Sequence, residues 1–390
     1  MNSQFRNSRL GFYLYAIIIF IIAAASIFVF WYMVKGYKLG TYPEDTILGS
    51  VYIGGISEDE VEGRMIQKVD RWLSDDTIVF ELTYQGYSYE FDRELFYFDY
   101  DTSIFYIDDG QTNELVVTYQ GNLQQEVVNE IKSTDFLIGN SNLDNFDIDQ
   151  LIRDVLSDAS LMKTFSNKHL EDYIIDENLA YTEIGSINLT VPDGVSVDTL
   201  ISNVSSLYPN AKIMVNSKEL YDVVDELGAD FTDSEMTILS QGMLALVLGT
   251  NFAINEVHYL PVIDYINYDI TTFPLFGHNA VVNQVIGDSF SFYNPNNSPY
   301  YFTLTKIDDT NVKLTLIGLD FIDDIVVDIH KTPIDYITQT TNNPGILQTG
   351  YEGMIIEVNR KILDIHGYII YNKVILFEFY PPIKEIILEP

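Results

Sequence analysis

Residues 10–34, LGFYLYAIIIFIIAAASIFVFWYMV, run for 25 positions without a charge between Arg9 and Lys35. At ~1.5 Å rise per residue this run reaches ~37 Å, enough for a ~30 Å hydrocarbon core with some tilt. Tyr13 and Tyr15 near one end and Trp31 and Tyr32 near the other suit the two membrane interfaces. Ala23, Ala24 and Ala25 would suit a signal peptidase, but the apolar run continues through Phe28, Phe30 and Trp31. It is about twice a normal signal-peptide apolar region. The pattern therefore predicts an uncleaved transmembrane helix over 10–34 behind a cytoplasmic tail, residues 1–9.

Beyond it the periodicity changes repeatedly. Residues 35–47 read as a linker with Gly36, Gly40 and Pro43. Gly49 to Ser57 reads as a strand and a glycine turn. Ser57 and Glu60 form an S-x-x-E capping box. Val61, Met65, Val69 and Trp72 then recur at helical spacing and predict an amphipathic helix over 58–73. TIVFELTY (77–84) and YSYEF (87–91) alternate around Gln85-Gly86 as a hairpin. These elements make a small α+β module over 48–135.

The next stretch, 136–228, repeats that order: a helix over 146–162, a strand and turn over 187–194, a helix capped by Ser196, and a strand over 211–216. It is read as a second α+β module, a divergent copy of the first. Thr232 and Glu235 form another capping box ahead of MTILSQGMLALVLG, which stops at Gly249. Short apolar runs follow between Asn, Pro, Gly and Asp breaks: FAINEVHYLPVIDYI, LFGHNAVVN, SFSFYNPN, YYFTLTKI and NVKLTLIGL. They predict a β-rich lobe within 229–320, and 325–390 a further β-module. The fold class is α+β.

Charge adds location. All 57 acidic residues lie beyond residue 40, and the chain after Arg9 carries 19 basic residues, a net of −38. Such a mass is repelled by nucleic acid and by an anionic cytoplasmic leaflet. With Arg6 and Arg9 on the tail, the expected topology is tail inside and bulk extracytoplasmic. The absence of cysteine removes disulfides, thiolate metal sites and a lipoprotein anchor.

Three stretches carry a resemblance. ILGSVYIGGISEDEVEGRM followed by IVFELTYQGYSYEFDRELFYFDYD, with LVVTYQGNLQQEVVNEI (115–131) as last strand and helix, resembles the proposed peptidoglycan-binding module that precedes VanW-type domains in Gram-positive surface proteins. The helix ending at Gly249, LPVIDYINYDITTFPLFGHNAVV, GDSFSFYNPNNSPYYFTL and NVKLTLIGL are similar to the C-terminal half of VanW-type domains. Asn279 stands where that family has an acid, and LGADFTDSEMTILSQG stands where it has a Gly-rich segment ending in Cys-Gln. GYEGMIIEVNRKILDIHGYIIYNKVI (350–375) and PPIKEIILEP resemble the small G-five β-module. The resemblance implies left-handed glycines at Gly350, Gly353 and Gly367, and peptidoglycan or another wall glycan as partner.

Candidate chemistry is sparse. His169, His258, His278, His330 and His366 form no H-E-x-x-H pattern. Glu256 and His258 alternate and can face one way. DYDTSIFYIDDG (99–110) has Ile104 where a calcium loop needs glycine. With 57 acids, chance carboxylate pairing is certain and nothing selects a glycosidase pair. The 51 Tyr and Phe residues suit either sugar stacking or ordinary β-strand packing. No catalytic, cofactor or metal residue is assigned. The resulting expectation is a single-pass envelope protein that binds or organises wall material, or another surface protein, without catalysis. The alternatives are a carboxylate-dependent wall enzyme and an extracytoplasmic subunit of a membrane assembly.

Overall fold

The computed structural model describes residues 4–36, 40–119, 128–129, 131–134, 143–260 and 276–389. The helix expected to end at Ile131 lies largely outside the described residues, as does Pro261 to Leu275 of the Pro-Val segment. The protein is mixed α+β. The apolar run is one helix, Gln4–Gly36. Within Gly11–Met33 an 18-residue window has a mean hydropathy of 2.6 and no buried residue, so the helix is long and apolar enough to cross a membrane. A signal sequence has the same properties.

Local signals set several elements. The helix Glu58–Leu73 buries Val61, Met65, Val69 and Trp72, the four residues whose spacing predicts it. Ser57 stands at its N-cap, but its side chain makes no capping hydrogen bond, so that capping box is not formed. The strands Val79–Tyr84 and Tyr87–Glu90 flank Gln85 at φ 48° and Gly86 at φ 92°. Two positive φ values in a two-residue loop make the turn whose twist suits a hairpin.

The chain divides into two compact units, Met1–Leu82 with Tyr89–Glu130 and Ile148–Lys168, and Thr83–Ser88 with Ile131–Asp147 and His169–Pro390. In the first, the Trp72 ring packs edge-on to Phe80 at 5.3 Å and Phe98 at 5.8 Å. Its indole N–H donates to the Lys163 carbonyl at 2.8 Å. The helix read as opening a second module, here Ile148–Ser160, belongs to this first unit. It buries Leu151, Ile152, Val155 and Ala159, and the Leu115 N–H donates to Ser160 O at 3.0 Å. The first module covers its apolar face with this later segment.

The second unit centres on a four-stranded antiparallel sheet in the order Lys212–Val215, Tyr300–Lys306, Asn311–Gly318, Thr182–Thr190. The expected boundary at residue 228 therefore falls inside one sheet: the strands before it pair with strands more than eighty residues later. A repeat reading from local order alone misses this, because strand partners are chosen by burial and not by sequence proximity. The helix Asp233–Leu248 lies on this sheet. A Cβ at Gly242 would come within 2.6 Å of Leu189 and 2.9 Å of Leu314, so glycine permits the close approach.

A second small sheet runs Leu220–Asp222, Ser291–Tyr293, Ala253–Glu256. The C-terminal stretch forms an antiparallel sheet of Asp324–Ile334, Gly353–Leu363 and Ile369–Tyr380, with Gly353–Leu363 central, plus a parallel pair Thr338–Thr341 and Glu385–Leu388. Met354, Ile356, Val358, Leu376 and Tyr380 belong to the same buried cluster as Phe252, Phe292 and Leu314, so this β-module shares a core with the preceding lobe. Of the three glycines expected to be left-handed, only Gly367 is, at φ 79°. Gly350 and Gly353 serve close packing: a Cβ would lie 2.4 Å from Tyr336 and 2.5 Å from the Tyr380 carbonyl.

Candidate functional site

The structure does bring Glu256 and His258 together. Glu256 ends its strand, and its Oε1 lies 2.7 Å from His258 Nε2. His258 Nδ1 lies 3.4 Å from Asp288 on the opposite side. Ser289 continues the group, donating its hydroxyl to Asp222 at 2.7 Å, while its N–H reaches Glu256 at 3.4 Å. Asp222 also accepts from Val224 N–H and Asp225 N–H as the cap of the helix Val223–Leu227. The imidazole thus ties a strand end to a loop. Its side chain and those of its two carboxylates are 32–40% exposed. Among the described residues, no group of three or more His, Asp or Glu side chains has a metal-holding arrangement.

The other histidines are dispersed. His169 Nδ1 lies 2.7 Å from the Thr83 hydroxyl and 3.2 Å from Asn297. His330 and His366 are exposed, and His366 packs edge-on to Tyr368. In the acidic stretch 99–110, Asp99 caps the short helix Tyr100–Phe105, taking the N–H and hydroxyl of Thr102. The carboxylate that sequence offered to a cation is used as a cap.

The residues most committed by burial were not singled out by sequence. Arg360, 4% exposed, points from the central C-terminal strand at the end of the helix Asp233–Leu248. It donates to Leu248 O at 3.1 Å, Val247 O at 3.0 Å and Phe252 O at 2.6 Å. Val247 and Leu248 end that helix, where carbonyls lack intrahelical partners, although Val247 O also takes the N–H and hydroxyl of Thr250, and Phe252 O lies just beyond it. Burial lowers its pKa to about 10. Glu378 is fully buried. It accepts from Gly277 N–H at 3.0 Å, Asn279 N–H at 3.2 Å and the Tyr380 hydroxyl at 2.9 Å. Burial raises its pKa against those hydrogen bonds.

This carboxylate is one reason why residues 276–283 of LFGHNAVVN do not form the expected strand. The amides of Gly277 and Asn279 go to Glu378, that of Val281 to His258 O, and that of Val282 to the Thr237 hydroxyl. Those four amides are unavailable to a β-ladder, and residues 276–283 are irregular with one bridge, Asn283 to Asp288. Asn279, at the acid position of the resembled family, donates its amide to Tyr380 OH at 3.0 Å. A carboxylate there has no proton to give and faces Glu378. In LGADFTDSEMTILSQG the capping box is formed in both directions: Glu235 N–H to Thr232 Oγ1 at 3.2 Å, and Thr232 N–H to Glu235 Oε2 at 2.9 Å. That segment starts a helix.

One carboxylate oxygen stands apart. Glu171 is 7% exposed, its Oε1 accepts from Gln85 N–H at 3.3 Å, and its Oε2 has no hydrogen-bond partner among the described residues. Burial raises its pKa. Aromatic residues divide between core and surface. Tyr84, Tyr300, Tyr380, Phe252 and Phe292 are fully buried, whereas Tyr97, Phe105, Tyr106, Phe377 and Phe379 are exposed. Comparison with protein-family models, curated proteins and solved structures gives no match for this chain.

Proposed function

We propose that this chain is a membrane-anchored, extracytoplasmic envelope protein that binds or organises wall material or a surface partner without catalysis. The observation that carries the reading is the sequence of an apolar helix long enough to span a bilayer followed by a folded mass of net charge −38. An uncleaved helix of this kind anchors, and the acidic mass suits the outer face better than an anionic inner leaflet. The resemblance to VanW-type surface proteins supports the same location and supplies peptidoglycan as the first ligand to test. The burial of Arg360 and Glu378 in backbone contacts supports a scaffold, because Arg360 is occupied in holding the C-terminal sheet to the end of the capped helix and Glu378 in holding it to Gly277 and Asn279.

Sedimentation with purified peptidoglycan tests the binding claim. The full chain in mild detergent should co-sediment, and lose that property when residues 45–135 are deleted. Release of soluble muropeptides at a catalytic dose would favour a wall enzyme. Glu256, His258 and Asp288 are where that search would begin, since an imidazole between two carboxylates can exchange protons.

A further inference from the structure

Two large apolar side chains protrude side by side from the first unit. Phe105 is 79% and Tyr106 68% exposed, with ring centroids 5.1 Å apart in an edge-to-face pair. They close the helix Tyr100–Phe105, whose one buried side chain is Ser103. Aromatic surface in water is unfavourable, and Phe next to Tyr offers an apolar body with one polar tip. The pair is therefore an unpartnered patch, and its position indicates what covers it.

That position is fixed by hydrogen bonds. Gly110, five residues beyond Phe105, donates its N–H to Thr46 Oγ1 at 2.9 Å, and Ile47 N–H donates to Gln111 O at 3.0 Å. The strand Ile47–Leu48 pairs in parallel with Thr112–Asn113. The aromatic pair is thus tied to the segment by which the chain arrives from the apolar helix. That segment is anchored at once: Thr41 bridges Ser57, and Tyr42 N–H donates to Ile56 O. The helix ends at Gly36, so five Cα steps separate it from Thr41. At ~3.6 Å per step they reach about 18 Å at most, whatever path they take. Tyr52, 53% exposed and paired with Ile47 in the adjoining turn, adds a third aromatic ring to this end.

We infer that Phe105 and Tyr106 rest in the interfacial layer of the outer leaflet beside the membrane span, as a second contact of the first unit with lipid. The inference rests on the anchored reading above. Aromatic rings favour that layer, and a tether this short holds Thr41, and the end of the unit tied to it, near the membrane, which lowers the entropy cost of the contact. Glu44, Asp45, Asp101, Asp108 and Asp109 are exposed around the same end, so the contact favours zwitterionic headgroups over anionic ones.

The chain has no cysteine, so single labels are unambiguous. Phe105→Cys, carrying an environment-sensitive fluorophore, is reconstituted as the full chain in phosphatidylcholine vesicles containing a lipid with a nitroxide at headgroup depth. Asp76→Cys, on an exposed turn of the same unit, is the reference. The label at position 105 should be quenched several-fold more than the reference and be shifted to the blue. Tyr106→Cys should behave likewise, which guards against a local effect of one substitution. Equal quenching at 105, 106 and 76 in vesicle-bound protein overturns the lipid contact and leaves the anchor standing. Protein that fails to float with the vesicles overturns the anchor reading, and the lipid contact with it.

Discussion

Replacement of Arg360 by methionine separates two opposed effects at a buried cation. The guanidinium donates to three buried carbonyls, those of Val247, Leu248 and Phe252. Hydrogen bonds from a charged donor are worth about 1.5–3 kcal/mol each, and an orphaned buried acceptor costs about 1–3 kcal/mol. Three such losses exceed about 4 kcal/mol. Against this, burial lowers the Arg360 pKa from 12.5 to about 10. At 1.36 kcal/mol per pKa unit, that is roughly 3 kcal/mol of penalty which methionine removes. The hydrogen bonds win by a margin of about 1–6 kcal/mol, because methionine has no donor to cap the helix end. Arg360→Lys should also destabilise, since a compact ammonium cannot reproduce the planar fork. Urea titration of the full chain in mild detergent, followed by tryptophan-independent circular dichroism, reads the midpoint. A methionine variant as stable as the parent, or more so, would refute the argument and show that desolvation dominates, as it does in some buried ion pairs.

Further outcomes are expected from the same packing. Gly242→Ala should lower the thermal midpoint despite alanine's better helix propensity, because the added Cβ meets Leu189 and Leu314 at under 3 Å; overpacking of this kind costs about 1–3 kcal/mol. Asn279→Asp should destabilise at neutral pH and recover part of the loss on acidification, as the new carboxylate opposite Glu378 takes up a proton and can donate to Tyr380 OH. The Glu378 pKa is raised above 4.5 in the folded chain. Its contribution is therefore most favourable below pH 4.5 and declines as pH rises through the folded value, so the stability difference between parent and Glu378→Gln should move in the parent's disfavour over that window. Asp158 has the opposite sign. Its burial is more than offset by hydrogen bonds from Lys163, Lys168 and Ser166, which hold its pKa below 3.8. Its contribution is present above pH 3.8 and lost as pH falls through the folded value, and a urea midpoint compared with Asp158→Asn at pH 7 and pH 3 checks this.

Elements defined by their own residues were legible in the sequence. Val61, Met65, Val69 and Trp72 specify one helix face, Thr232 with Glu235 specify a helix start, and Gln85-Gly86 specifies a turn, because each signal lies within a few residues. Partners far apart in sequence were not legible. The strand and turn over 187–194 read as part of a self-contained module, whereas the strand Thr182–Thr190 pairs with Asn311–Gly318. LFGHNAVVN reads as a short apolar run between breaks, yet the amides of Gly277, Asn279, Val281 and Val282 are taken by Glu378, His258 O and Thr237 from other elements. Nothing in the local sequence around Arg360 and Glu378 singles them out. Their burial follows from the C-terminal sheet sharing a core with the preceding lobe, which no local pattern encodes. Glu256 and His258 were the one chemical pairing that spacing suggested correctly; Asp288 and Ser289 join it only through the loop.

The central claim is an anchored chain with its acidic bulk outside, and site-specific labelling tests it directly. In wall-stripped intact cells, a cysteine replacing exposed Asp193 and one replacing Ser3 are each treated with a membrane-impermeant maleimide before and after lysis, in the membrane fraction. The account predicts that position 193 labels in intact cells and position 3 only after lysis. Protection of position 193 until lysis would contradict the topology, and recovery of the chain in the medium with its N-terminus near Ser26 would contradict the anchor.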